Sequence, residues 1–375
     1  MRASQFVAMR RWRSLAIPLA MSAPPLLWVA EGLRRSSLTP LGRDQGIFQY
    51  IGWALRRGEV DYRDFRDVNG PLTHLVHWLF LGLGGSDEHR FRVLDLLFSS
   101  VSFAFVGACV PGLRSAPPRT IVRTPDLLER AAWGIAGWVV LSGQYLQYDF
   151  WHSAQRESFF DWFMLPSVAL QLFGQAPSGG LEALARRRQA LVLVLAGGLS
   201  VIPWFGKPTY ALFTMAQIFA LLADPMLLLS RPWALAAFGS GALAAASLGT
   251  GLLAAYGDLF AFARIQLVDV PASYRFIWAR KPLEVFATPW TATQAALSMA
   301  GAAAMLALIV LRRMPARAIG VALVPVCGLV SVVVQAKGFQ YHFHPVTAGV
   351  YLQWLVCVAW LAERSRVSRR VYRQG

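Results

Sequence analysis

The chain is almost without lysine: Lys207, Lys281 and Lys337 stand against 33 arginines in 375 residues. Charge of either sign is sparse. Only 15% of the residues are charged, where a soluble domain carries roughly 25%. Cysteine is scarce too. Cys109, Cys327 and Cys357 sit singly in apolar runs, which excludes a metal-ligand spacing and a disulfide framework and makes them small buried packing residues. Polar sequence between the apolar runs is too short for a separate soluble domain, so residues 1–375 read as a single membrane domain.

What is abundant is apolar. Hydrophobic residues make up 56% of the chain, and the mean hydropathy is +0.44. Ten runs are read as membrane spans: Ser14–Glu31, Phe91–Val110, Ala131–Tyr148, Ser158–Phe173, Ala190–Phe205, Thr209–Leu229, Pro232–Tyr256, Thr291–Leu311, Ala318–Gln335 and Val346–Leu361. Several are shorter than the roughly 20 residues of a full crossing. The fold class expected is all-α and polytopic. The first run resembles a signal peptide in its basic start and apolar core, but no small-x-small cleavage site follows it, so it is read as retained.

The net charge of +16 invites a nucleic-acid reading, which its distribution opposes. With the N-terminus in the cytoplasm, as Arg10, Arg11 and Arg13 suggest, the cytoplasmic segments hold 20 Arg and 5 acids. The opposite side holds 16 Lys and Arg and 15 acids. The short cytoplasmic loops around Arg119, Arg186–Arg188 and Arg312–Arg313, with the tail Arg364–Arg373, follow the positive-inside pattern. The basic excess is therefore a topology signal, no nucleic-acid partner is expected, and both termini are expected in the cytoplasm.

Potential chemistry then gathers on the outer side. The first outer loop, residues 32–90, holds the most charged long stretch of the chain, Leu41–Phe80. Within it Ile47, Phe48, Ile51 and Leu55 share one helical face, which predicts an amphipathic helix in the interface. Gly58 ends that helix, Glu59–Asn69 alternates in charge, and Gly70-Pro71 breaks the chain before a second apolar stretch with His74 and His77. The second outer loop, residues 257–290, mixes Arg264, Arg275, Arg280 and Lys281 with Phe262, Tyr274, Phe276 and Trp278. That mixture suits the headgroup zone, and it also suits a lipid phosphate.

Three segments of the first loop carry a resemblance: Arg43-Asp44-Gln45-Gly46, Gly58-Glu59-Val60-Asp61-Tyr62-Arg63-Asp64, and Asp67-Val68-Asn69-Gly70-Pro71-Leu72. With Gln155-Arg156-Glu157, Gly206-Lys207-Pro208, Gln335-x-Lys337, Tyr341-His342 and Pro345, the chain resembles the type-C membrane glycosyltransferases. The likeness is to the bacterial branch of the protein O-mannosyltransferase and aminoarabinose-transferase kind, and it covers most of the chain. It implies inverting transfer of a sugar from a polyprenyl-phosphate donor to a glycan, lipid or protein acceptor, at the periplasmic face of a bacterial cytoplasmic membrane. Relatives commonly have a Lys shortly before the Pro of the third segment; this chain has Asn69, which leaves two readings: Arg63 or Arg66 substitutes, or the donor is held differently.

Such a transfer needs a carboxylate to take the acceptor proton and cations on the departing phosphate. Asp44 is the first choice for the carboxylate, with a helix-dipole role as its plain alternative; Asp67 is the second. Lys207, Lys337 and Arg275 are expected to converge on the phosphate, against a reading as interface anchors. Glu157, Tyr341 and His342 are candidate contacts to acceptor or sugar, with a local ion pair as the plain alternative for Glu157. No cofactor is certain. Asp61, Asp64 and Asp67 could hold a divalent cation, although a solvated loop with arginine partners is the plainer reading. The His74/His77 and His342/His344 pairs read as polar packing rather than as metal ligands. The competing class is a polytopic transporter or lipid flippase, which would carry ionisable groups in its spans and repeated halves.

Overall fold

The apolar runs become helices here, with Pro18, Pro24 and Pro25 inside the first and Pro166 and Pro325 inside two others, and prolines or glycines mark most of their ends. The computed structural model describes residues 2–113, 126–173, 182–225 and 227–371, with side chains between residues 15 and 364. Arg119 lies outside the described residues, as do the side chains of Arg10, Arg11, Arg13 and the tail beyond Arg364. Among the described residues there is helix and loop and no strand.

Ten helices follow the apolar runs: α1 Arg2–Ser37, α4 Glu88–Cys109, α5 Leu127–Tyr145, α6 Arg156–Leu172, α7 Glu182–Val201, α8 Ala211–Ala223, α9 Arg231–Tyr256, α12 Pro289–Val310, α13 Ile319–Gln335 and α14 His344–Val371. Between α1 and α4 lie two further helices of 14 residues each, α2 Arg43–Arg56 and α3 Pro71–Gly84. The segment after α9 is a chain of short pieces, α10 Leu259–Arg264, a wide turn over 265–269 and α11 Val270–Ala272.

Seven helices are long and apolar enough to cross a membrane: α1, α4, α7, α9, α12, α13 and α14. The other three depart from that standard for visible reasons. Helix α8 has 13 residues. Helix α5 carries Glu129 and Arg130 in its first turns and Gln144 in its last. Helix α6 carries Arg156, Glu157 and Asp161, and it is buried at every position except Phe163. A helix with protein on all sides can hold charge that a lipid-facing one cannot.

Close packing is built on small residues. A Cβ on Gly107 would stand 2.2 Å from the Trp133 carbonyl oxygen, and one on Gly137 2.5 Å from the Gly107 Cα. The backbones of α4 and α5 therefore touch, which is how helices associate where no hydrophobic gain is available. The main core lies among α4, α5, α6 and α14, with Phe103, Trp133, Phe159, Leu165 and Leu355 inside it. Helices α9 and α12 bury little of their surface, 11% and 22% of their most apolar windows.

The amphipathic helix of the first loop, α2, forms where periodicity placed it, with one correction. Phe48, Ile51 and Leu55 are buried against Phe65 and Trp78, but Ile47 is 49% exposed and joins Tyr50 and Trp53 on the outer face. The helix is apolar on two sides, because its inner side packs on α3 and its outer side faces the medium. Gly58, at φ +92°, follows its end, and Pro71 occupies the first turn of α3 behind Gly70. The three cysteines are unpaired.

Candidate active site

At one end of the bundle is an open cavity of about 570 Å³, lined by Asp44, Ile47 and Phe48 of α2, Arg66, Asp67 and Asn69, Trp151, His152 and Arg156, Tyr274 and Trp278, and Phe339 and Tyr341. Its size is that of a small-molecule site. Five separate stretches of chain build it.

Buried polar side chains set the wall. Gln45 is fully buried; its Oε1 accepts from the Gly42 amide at the start of α2, and its Nε2 donates to the carbonyls of Phe150 (3.2 Å) and Ser153 (2.5 Å). Arg92 of α4 is 1% exposed and donates to the carbonyls of Pro40 (2.8 Å), Phe150 (2.8 Å) and Ser153 (3.2 Å). Together they tie residues 150–153 to the first turn of α2, the turn that carries Asp44. Gly70 makes a second join. A Cβ there would stand 2.2 Å from the Phe205 carbonyl oxygen and 2.6 Å from that of Gly206. The Asp67–Pro71 turn thus lies directly on the Gly206-Lys207-Pro208 break.

Asp44 and Asp67 both face the cavity, but they are held differently. The N-cap of α2 is Gly42, and Asp44 sits in the first turn with its side chain 32% exposed and its Oδ1 3.5 Å from Arg43 Nε. Asp67 is 11% exposed in its side chain. Its Oδ1 accepts from the Asn69 amide (2.9 Å) and side chain (2.5 Å), and its Oδ2 lies 3.3 Å from His74 Nε2. Burial works against the Asp67 carboxylate, but His74, the Asn69 amide and Arg156 together hold it below the usual carboxylate range. Asp44 is the freer carboxylate; Asp67 is fixed by its hydrogen bonds.

Residues of the Gln155–Glu157 and Tyr341-His342 segments meet beneath the cavity. Arg156 is 8% exposed; its Nη2 donates to Tyr341 Oη at 3.3 Å, and its guanidinium lies 5.4 Å from the Tyr341 ring centre. Glu157 is ion-paired to Lys207 through Oε1 and lies 3.6 Å from Arg156 Nε. His342 Nε2 is 3.7 Å from the same Oε1. Gln335 accepts from the Lys207 ammonium as well. Burial pushes the Lys207 amine down, Glu157 pushes it up and Arg156 down again, which leaves it at about 8.

The expected convergence of Lys207, Lys337 and Arg275 does not form at the cavity. Neither lysine lines it. Lys207 is held by Glu157 and Gln335, whereas the Lys337 ammonium donates to the carbonyls of Tyr274 (2.8 Å), Arg275 (3.4 Å) and Ile277. Arg275 is exposed and stacks 4.5 Å from the ring centre of its neighbour Phe276. Arg63 pairs with Asp64 on the surface at 2.9 Å, away from the cavity. Arg66 does reach the wall, and it also pairs with Asp269. The cations on the cavity are thus Arg43, Arg66 and Arg156.

The three aspartates do not form a cation site. Asp64 Oδ2 accepts from the Val60 amide at 2.7 Å, while Asp61 and Asp67 both turn to His74. Among the described residues no group of three or more His, Cys, Asp or Glu side chains is placed to hold a metal. His77 and His344 are packing residues, as read: His77 bonds Gln49 at 3.0 Å and stacks on Phe91, and His344 bonds the His152 carbonyl at 2.8 Å and stacks on Tyr148. Gln45, Arg92 and His74 were not singled out as site residues by the sequence. A polar side chain in an apolar helix was the available signal, but its partners lie up to 108 residues away. Comparison with protein-family models, curated proteins and solved structures yields no match for this chain.

Proposed function

We propose that the protein is a membrane glycosyltransferase that moves a sugar from a polyprenyl-phosphate donor to an acceptor hydroxyl, in the cavity beside Asp44. One observation carries this reading. Parts of four segments singled out by their likeness to type-C glycosyltransferases, Arg43-Asp44, Asp67 with Asn69, Gln155-Arg156 and Tyr341, lie far apart in sequence yet line one cavity, with carboxylates and guanidiniums on its wall.

In the proposed reaction the acceptor oxygen forms a bond to the anomeric carbon as the bond from that carbon to the phosphate oxygen breaks. The acceptor proton passes to the Asp44 carboxylate. The polyprenyl phosphate leaves with the electron pair. Arg156 and Arg66 stand opposite the growing negative charge, in a partly dry site where fixed cations favour the transition state over the ground state. Arg156 suits this role better than the lysines, whose ammonium groups are engaged elsewhere. The apolar wall from Ile47, Phe48 and Ile51 to Trp278 and Phe339 supplies a path for the isoprenoid.

The same proposal sets the ten helices of the apolar runs across a bacterial cytoplasmic membrane, with α2, α3 and the 257–290 segment at its outer face. Exposed Phe260, Leu267, Phe276, Trp278 and Leu283 in that segment are the kind of residues that sit in the headgroup zone. The test is transfer by purified protein from a panel of radiolabelled polyprenyl-phosphate sugars. Release of labelled product supports the reading. Lipid translocation in vesicles with no transfer would replace it with a flippase.

A further inference from the structure

Residues 61–67 and α3 enclose a buried three-group chain that the proposed chemistry does not use. His74 is fully buried, with Nδ1 2.8 Å from Asp61 Oδ2 and Nε2 3.3 Å from Asp67 Oδ2. A neutral imidazole carries one N–H and can donate to one of these carboxylates; an imidazolium donates to both. Asp61 is buried too, and its backbone is locked to the second outer loop: its amide donates to the Tyr256 carbonyl (3.0 Å) and its carbonyl accepts from the Asp258 amide (2.9 Å). Tyr62, next along, is held at φ +66°, a left-handed backbone that a bulky residue adopts only under constraint. Its hydroxyl donates to the Asn69 carbonyl at 2.7 Å, and its ring packs 4.9 Å from Phe262.

We infer that His74 is the positioning residue of Asp67: an imidazolium clamped between Asp61 and Asp67, it fixes the Asp67 carboxylate in the cavity wall and ties that wall to the second outer loop. The chemistry of the ligand follows from what Asp67 has left. Its oxygens accept from Asn69 and His74 and it donates nothing, so it takes the hydroxyl of a polar ligand such as a sugar. The functional half of this inference rests on the glycosyltransferase reading; the charge on His74 does not.

The surroundings agree with a cation. Burial alone would drive the proton off His74, but its hydrogen bonds to both carboxylates outweigh it and keep the imidazole protonated up to about 9. The other titratable groups facing it are Tyr62, 5.6 Å away ring to ring, and His77 on the next turn of α3. Burial, with the charges of His74 and Arg92, holds His77 well below its usual value, so it stays neutral. From α2 the facing ring is the apolar Phe48.

The test uses full-length protein in detergent micelles with ¹⁵N-labelled histidine, together with the His74→Asn and Asp67→Asn variants. Wild-type His74 should give paired imidazolium ¹⁵N signals at pH 7.5, and Asp67→Asn should lower its titration midpoint by more than one pH unit. A neutral His74 at pH 7.5 overturns the inference whatever the protein's activity. With any donor that is turned over, His74→Asn should raise KM roughly tenfold and change kcat less, the pattern of lost ligand positioning. An unchanged KM removes His74 as a positioning residue and leaves the transferase reading intact. Should no donor be turned over, the transferase reading falls, and the ¹⁵N signals alone decide the charge of His74.

Discussion

The Lys207 ammonium rests on the Glu157 carboxylate inside the helix bundle, where the lysine side chain is 14% exposed and the glutamate 1%. Arg156 and His342 crowd the same carboxylate, so one buried anion faces two cations and a histidine. A pair of this kind stabilises little relative to apolar residues of the same shape, but removing one member strands the other.

Glu157→Gln should therefore destabilise the protein by on the order of 3–5 kcal/mol, seen as a lower melting temperature in detergent. Pairing it with Lys207→Met should recover part of the loss, because one stranded cation is gone while Arg156 remains. A double-mutant cycle reads the coupling directly. Equal melting of Glu157→Gln and wild type would show that the pair is not formed.

The pH dependence of stability follows from His74. Its folded value of about 9 lies above the ordinary 6.5, so the folded state holds the extra proton between those limits. The stabilisation, on the order of 3 kcal/mol, is complete below pH 6.5 and declines as pH rises toward 9. Lys207, lowered from 10.5 to about 8, acts in the opposite sense between 8 and 10.5. The wild-type melting temperature should thus fall between pH 6.5 and 8, and His74→Asn should remove that slope. A wild-type curve that is level over the interval would contradict the assignment.

Topology is open to a direct check. Reporter fusions at Arg186, in the first turns of α7, and at Ala272, in the second outer loop, should fall on opposite sides of the membrane. Both on one side would overturn the ten-crossing arrangement.

Helix placement was legible because span lengths and breakers are local properties. The run read as Pro232–Tyr256 is helix Arg231–Tyr256, and the run read as Ala318–Gln335 is helix Ile319–Gln335. The α2 helix, its end near Gly58 and the Gly70-Pro71 start were legible for the same reason. Pairing was not. Lys207 and Lys337 looked alike as outer lysines, but one meets a carboxylate of α6 and the other a set of loop carbonyls. Asp61, Asp64 and Asp67 looked like one acidic cluster at regular spacing. The turn instead directs Asp64 to its own backbone and the other two to a histidine on α3. Such choices depend on long-range packing, which a single sequence does not display.

In the proposed reaction Asp44 takes the acceptor proton during sugar transfer. The most direct measurement is the transfer rate of wild type and Asp44→Asn, purified side by side and melting at the same temperature, from a polyprenyl-phosphate sugar that the wild type turns over. Loss of the carboxylate should slow transfer roughly 10²–10⁴-fold. A variant that transfers at the wild-type rate would contradict the account, and Asp67→Asn would then be the next variant to measure.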